Sequence, residues 1–174
     1  MNILPIVHTG KIIVVTSNHE TREQIITLTA ELAVRGAVTV LDGGNRFAAY
    51  QTIRMLRMRT HDVEEAANRI FVRRAFTCYQ MLTLLENSPS LHQPYLILDM
   101  LASFYDENVR LQEVDRLLDR CLVQLERLRM TAPVVISLTQ HLDRPFLIDH
   151  VRSIADHIIG VEIPYPVITQ PALF

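Results

Sequence analysis

The sequence predicts an α/β domain with a mainly parallel β-sheet flanked by helices on both faces. Short β-branched runs recur along the chain, most of them apolar without strict alternation, as strands covered on both sides are. Helix-length amphipathic segments separate them, and strand and helix alternate throughout, which implies right-handed crossover units. In order, "KIIVVT" at 11–16 is the first strand. Residues 21–35 follow as a helix, with Ile25, Ile26, Leu28 and Leu32 on one side and Gly36 as its stop. "AVTVLD" at 37–42 and "RIFVRR" at 69–74 are the next two strands. "ENSPSLHQP" at 86–94 is a polar, proline-punctuated loop leading into the strand "PYLILDM" at 94–100. Residues 108–130 form a long helix. Val114, Leu117, Leu118, Cys121, Leu122, Leu125 and Leu128 make its apolar stripe, opposite Asp115, Arg116, Asp119, Arg120, Glu126 and Arg127. "APVVISLT" at 132–139 and the run at 157–163, preceded by Asp156, complete the strands. The tail from Pro164, "PYPVITQPALF", reads either as an extended arm docking on this or a neighbouring chain or as a frayed end.

With 174 residues, 49% apolar and 21% charged, the chain is expected to be one domain, able to bury a core without disulfides or metal. Its apolar runs are far shorter than the roughly 20 residues of a membrane helix, and its N-terminus lacks a signal-like pattern. A cytoplasmic protein without a membrane partner is expected. Cys78 and Cys121 then read as reduced core thiols. The net charge of −2 excludes a globally basic nucleic-acid binder. Locally the balance differs: between Arg46 and Arg74 stand seven arginines against Asp62, Glu64 and Glu65, a formal +4.

Ligands of parallel sheets bind beyond the carboxyl ends of the strands. The residues to weigh are therefore Thr16 to Glu23, Asp42 to Phe47, Asp99 to Asp106 and Thr139 to Arg144. Asp99, ending "LILD", has the form of a magnesium-holding Walker B acid, or of an acid that caps the following loop. "VVTSNHETREQ" at 14–24 stands where a phosphate loop would be, with no glycine and no lysine. "SNHE" at 17–20 and "TREQ" at 21–24 both fit the capping box instead, in which side chains satisfy the first helical amides. Seven histidines without His-x-x-x-His spacing, and cysteines without Cys-x-x-Cys, argue against a metal site. No Gly-x-Ser-x-Gly elbow offers a nucleophile.

"VLDGGNRFAAYQTIRML" at 40–56, "NRIFVRRAFTCYQMLTLLE" at 68–86, "PYLILDMLASFY" at 94–105, the long helix, "PVVISLTQ" at 133–140 and "ADHIIGVEI" at 155–163 follow in the order of a RecA-type recombinase core. The chain resembles the archaeal and eukaryotic branch of that family over about residues 11–163. The resemblance implies a RecA-like P-loop NTPase fold over 1–174, with the nucleotide machinery degenerate. In the Walker A motif Thr16 and Thr21 replace glycines, Arg22 replaces the lysine and Glu23 the magnesium-binding hydroxyl. A residue with a Cβ pays about 1–2 kcal/mol for the left-handed conformations the glycines supply. Glu23 would also turn a carboxylate toward phosphate. Gly44 stands where the family has the acid that activates water, while Asp99 remains and Gln140 resembles the polar sensor.

The resemblance therefore implies no ATP or magnesium cofactor and a pseudo-ATPase. Such a chain would be an accessory subunit of DNA recombination or repair, acting through protein contacts with recombinase-like proteins or a second copy of itself. Two other readings stand beside it. One is a DNA-binding module using Arg54, Arg57, Arg73 and Arg74 on phosphate, against which the basic stretch reads as a solvated face balanced by acids elsewhere. The other is a weak atypical ATPase using Arg22 and Asp99.

Overall fold

The computed structural model describes residues 3–17, 19–139, 141 and 143–160. Its six strands are β1 Ile12–Ser17, β2 Val38–Asp42, β3 Ile70–Arg74, β4 Tyr95–Leu98, β5 Val134–Thr139 and β6 His157–Ile159. They form one sheet in the order β3-β2-β4-β5-β1-β6, and each pairing is parallel. The helices are α1 His19–Arg35, α2 Ala49–Arg57, α3 Val63–Asn68, α4 Cys78–Glu86, α5 Leu111–Arg129 and α6 Pro145–Ser153, with 3₁₀ turns at Leu4–Ile6 and Ala102–Tyr105.

Two cores sit on the two faces of the sheet. Along β1 the side chains alternate: Ile13 and Val15 join one core, Ile12 and Val14 the other. The first core takes Ile25, Leu28 and Leu32 of α1, Leu56 of α2 and Ala66 of α3. The second takes Met81 and Leu85 of α4, the apolar stripe of α5, and Leu147 and Val151 of α6. This is the doubly wound arrangement, with α1–α3 on one face and α4–α6 on the other. The α/β class and parallel sheet read from the sequence are thus observed. Among the described residues no helix is long and apolar enough to cross a membrane.

Local chemistry explains the element ends. α1 begins earlier than the predicted residue 21, and it stops where the Gly36 N–H bonds the Leu32 carbonyl. α4 starts at Thr77, whose Oγ1 accepts the Gln80 N–H at 3.1 Å while Gln80 Oε1 accepts the Phe76 N–H at 2.8 Å. Pro145 opens α6, where a missing N–H costs nothing. The strand at 94–100 is shorter than predicted, because Asp99 takes φ 47° and turns the chain out of the sheet after Leu98. β3 departs from the expected cover on both faces. It is an edge strand, half exposed, with Phe71 open to solvent. The proline-rich tail, and the strand run beyond residue 160, lie outside the described residues.

Candidate functional site

Connections leaving β1 and β2 pass to one face of the sheet, and those leaving β4 and β5 to the other. The carboxyl ends of β2 and β4, and of β1 and β5, therefore flank the crevices in which a doubly wound fold takes ligand. Asp42 and Asp99 stand at the first, Thr16 and Thr139 at the second.

Asp42 is fully buried. Its Oδ1 accepts the Arg46 N–H at 2.8 Å, its Oδ2 accepts the Phe47 N–H at 3.0 Å, and the Arg74 Nε lies 3.5 Å from Oδ2. The carboxylate thus caps the loop it begins, and a single buried charge is compensated by two amides and a guanidinium. Asp99 is 4% exposed. Its N–H donates to Ser137 Oγ at 2.9 Å, its Oδ1 accepts the Thr139 N–H at 3.1 Å, and its Oδ2 accepts Arg46 Nε at 3.2 Å. Both carboxylate oxygens are taken by the chain itself.

The loop between β2 and α2 is pressed onto this acid. The Gly43 N–H bonds the Leu98 carbonyl at 2.8 Å. A Cβ on Gly44 would fall 2.5 Å from Asp99 Oδ2, and one on Gly43 would fall 3.0 Å from the Asp99 carbonyl oxygen. Glycines are present here for close approach. Gly44 had a negative meaning in the sequence, as the position of a missing acid; in the fold it is the residue whose lack of a side chain lets loop and acid meet.

At the second crevice Thr16 is buried, and its Oγ1 accepts a hydrogen bond from the Arg152 guanidinium at 3.1 Å. Gly160, at φ 124°, packs so tightly on β1 that a Cβ would lie 2.7 Å from the Thr16 carbonyl oxygen.

The remaining predicted residues are dispersed. Arg22 and Glu23 are exposed on α1 and line a groove shared with Arg54, Met55 and Met58 at α2, and Asp99 is not among its walls. Asp99 sits among Ser137, Thr139 and Arg46 at the end of β4. Arg57 is exposed in the last turn of α2. Arg73 lines a depression along β3 with Leu91 and Gln93, while Arg74 is held by Asp42. Gln140 and the side chains of 17–21, hence Thr21 and both capping-box readings, lie outside the described residues. Of the arginines between 46 and 74, Arg46, Arg59, Arg69 and Arg74 are paired with Asp99, Glu31, Glu65 and Asp42. Arg54, Arg57 and Arg73 have no ion pair among the described residues.

Other chemistry is muted. Burial pushes the Cys78 thiol up and drives Cys121 up to about 12, so neither is a ready nucleophile. Among the described residues no group of three or more His, Cys, Asp and Glu is placed to hold a metal ion. Sequence reasoning missed Arg46, Asp42, Ser137 and Arg152 as the closing residues. The signal for the first two was "DGGNR", an acid at the end of a buried strand followed at once by two glycines.

The described residues define a doubly wound, all-parallel α/β domain whose strand-end acids Asp42 and Asp99 are engaged by its own amides and guanidinium groups. Compared with known protein families and with curated proteins, the chain matches none.

Proposed function

We propose that the chain is a non-catalytic RecA-like domain, an accessory subunit that works through protein contacts in DNA recombination or repair. One observation carries the reading: both Asp99 oxygens are engaged by Thr139 and Arg46, with Gly44 packed against the same carboxylate. An acid that is to hold a metal–nucleotide needs open space in front of its oxygens. Here the Arg46 guanidinium stands in front of Oδ2. The ordered resemblance to the recombinase core supplies the process, and a recombinase-like chain or a second copy is the partner it favours in the cytoplasm.

Calorimetric titration with ATP and magnesium tests the catalytic half. No heat above dilution is expected, and a micromolar isotherm would overturn the reading. Co-elution with a RecA-type recombinase, or a defined self-assembly by light scattering, tests the other half. A second reading, DNA binding, is favoured by Arg54, Arg57 and Arg73, which have no ion pair among the described residues. It predicts a gel shift that weakens with salt and with Arg54→Glu, Arg57→Glu and Arg73→Glu, because phosphate contacts release counterions.

A further inference from the structure

The groove between α1 and α2, about 320 Å³, is lined by residues of these two helices and by Met58 just beyond α2. Among the described residues its walls carry Arg22 and Arg54, with one opposing carboxylate, Glu23; its apolar lining is Ile26, Met55 and Met58. The α2 wall mixes Gln51 and Arg54 with Met55 and Met58. Tyr50, Arg54 and Met58 follow at four-residue spacing along one stripe, with Tyr50 78% and Met58 74% exposed. Arg57 stands on the same exposed side, and neither it nor Arg54 has an ion pair among the described residues.

We infer that this groove is a docking site for an acidic amphipathic peptide segment of a partner protein, with an apolar anchor over Ile26 and Met55 and carboxylates toward Arg22, Arg54 and Arg57. The inference rests on the reading of the chain as an interaction domain and gives that reading a place and a ligand chemistry. Methionines suit an adaptable helix groove, since unbranched thioether chains repack around different anchors. The charge of the walls selects acid over base. Glu23 and the apolar lining count against a nucleic acid: a phosphate polymer would pass a carboxylate and leave the lining unfilled, whereas a peptide supplies both an anchor and mixed charge.

The test is selection from a displayed library of random peptides of about 16 residues, long enough for the groove, on the full chain. Counter-selection uses the Arg22→Glu, Arg54→Glu double variant. Enriched sequences are expected to combine Asp or Glu with apolar residues at helical spacing. Synthetic peptides made from them should lose roughly tenfold or more in affinity on the double variant and on Met58→Glu, and the loss on the charge variant should shrink with salt. All three positions are exposed, so circular dichroism and melting of the variants should match the parent. Three outcomes overturn the inference. They are no groove-dependent enrichment, enrichment of basic sequences, or groove-dependent binding of a labelled oligothymidine in place of peptide. Failure here would leave an empty ATP titration standing, and a positive ATP isotherm would not erase groove-dependent peptide binding, so the two claims fail separately.

Discussion

At the scale of single residues, the contact between Gly44 and Asp99 is a sharp constraint on the loop after β2. Gly44→Ala places a methyl 2.5 Å from Asp99 Oδ2 and 2.7 Å from its Cβ, so loop or acid must shift. Overpacking of this kind costs about 1–3 kcal/mol, and a chain of this size loses roughly 2–4 °C of Tm per kcal/mol. Gly36→Ala is the control, with nothing within 4 Å of the added carbon, and its melting should be unchanged or slightly raised. The Asp99 partners give a second prediction. Arg46 is half exposed, so Arg46→Ala should cost only about 1 kcal/mol after solvent screening. Asp99→Ala also strips the Thr139 N–H of its acceptor, and a buried unsatisfied donor adds about 1–3 kcal/mol. Urea midpoints should therefore fall further for Asp99→Ala than for Arg46→Ala, and the reverse order would mean that Arg46, not the amide cap, is what holds the acid. Asp99 as a strand-end acid was readable in "LILD", but Arg46 as its partner was not. The two lie 53 positions apart and meet only because β2 and β4 are neighbours.

At the scale of elements, legibility followed local periodicity. α1 and α5 were readable because their apolar stripes run over four to five turns and need no knowledge of the partner surface. α2 and α3 are short and lie in the basic stretch, whose arginine content drew attention to charge rather than to Thr52, Leu56 and Ala66 turning inward. β3 shows the limit in another way. "IFV" reads as a buried strand while the two arginines that follow it do not, and which strand ends a sheet is decided by topology as well as by the strand's own residues. The start of α4 was readable in principle, since Thr77 is followed three residues later by Gln80. Both arms of a cap are formed there, with Gln80 reaching Phe76. Thr77→Ala should cost about 1 kcal/mol, seen as a Tm drop of roughly 2–4 °C. Gln80→Ala should cost less, because the Phe76 N–H it releases is exposed to water. Equal losses would show that the two arms act as one unit.

At the scale of the whole molecule, alternation of strand and helix announced the class but not the strand order, because the same elements wind into several parallel sheets. That order depends on which ends the long-range polar contacts tie together, and Asp156 ties three at the amino end of the sheet. Its Oδ2 accepts the Ile12 N–H at 2.9 Å, its Oδ1 accepts Lys11 Nζ at 3.1 Å, and the Arg129 guanidinium reaches Oδ2 at 3.3 Å, joining β1, the start of β6 and the end of α5. The Ile12 amide foremost, then Lys11 and Arg129, hold the Asp156 carboxyl below the ordinary carboxylate range against the opposing effect of burial. An acid whose pKa is depressed by folding stabilises the fold while it is ionised in both states. That contribution is complete above the unfolded value, about 3.9, and is lost as pH falls through it toward the lower folded value. Asp156→Asn keeps the shape and removes the charge. It should lower stability by about 1–2 kcal/mol at pH 7, and the gap between parent and variant should close progressively below about pH 4. Urea midpoints of both proteins from pH 7 to pH 3 measure this directly. A gap that stays constant across the range would mean that the clasp acts through its hydrogen-bond geometry alone and that its ionisation contributes nothing to the fold.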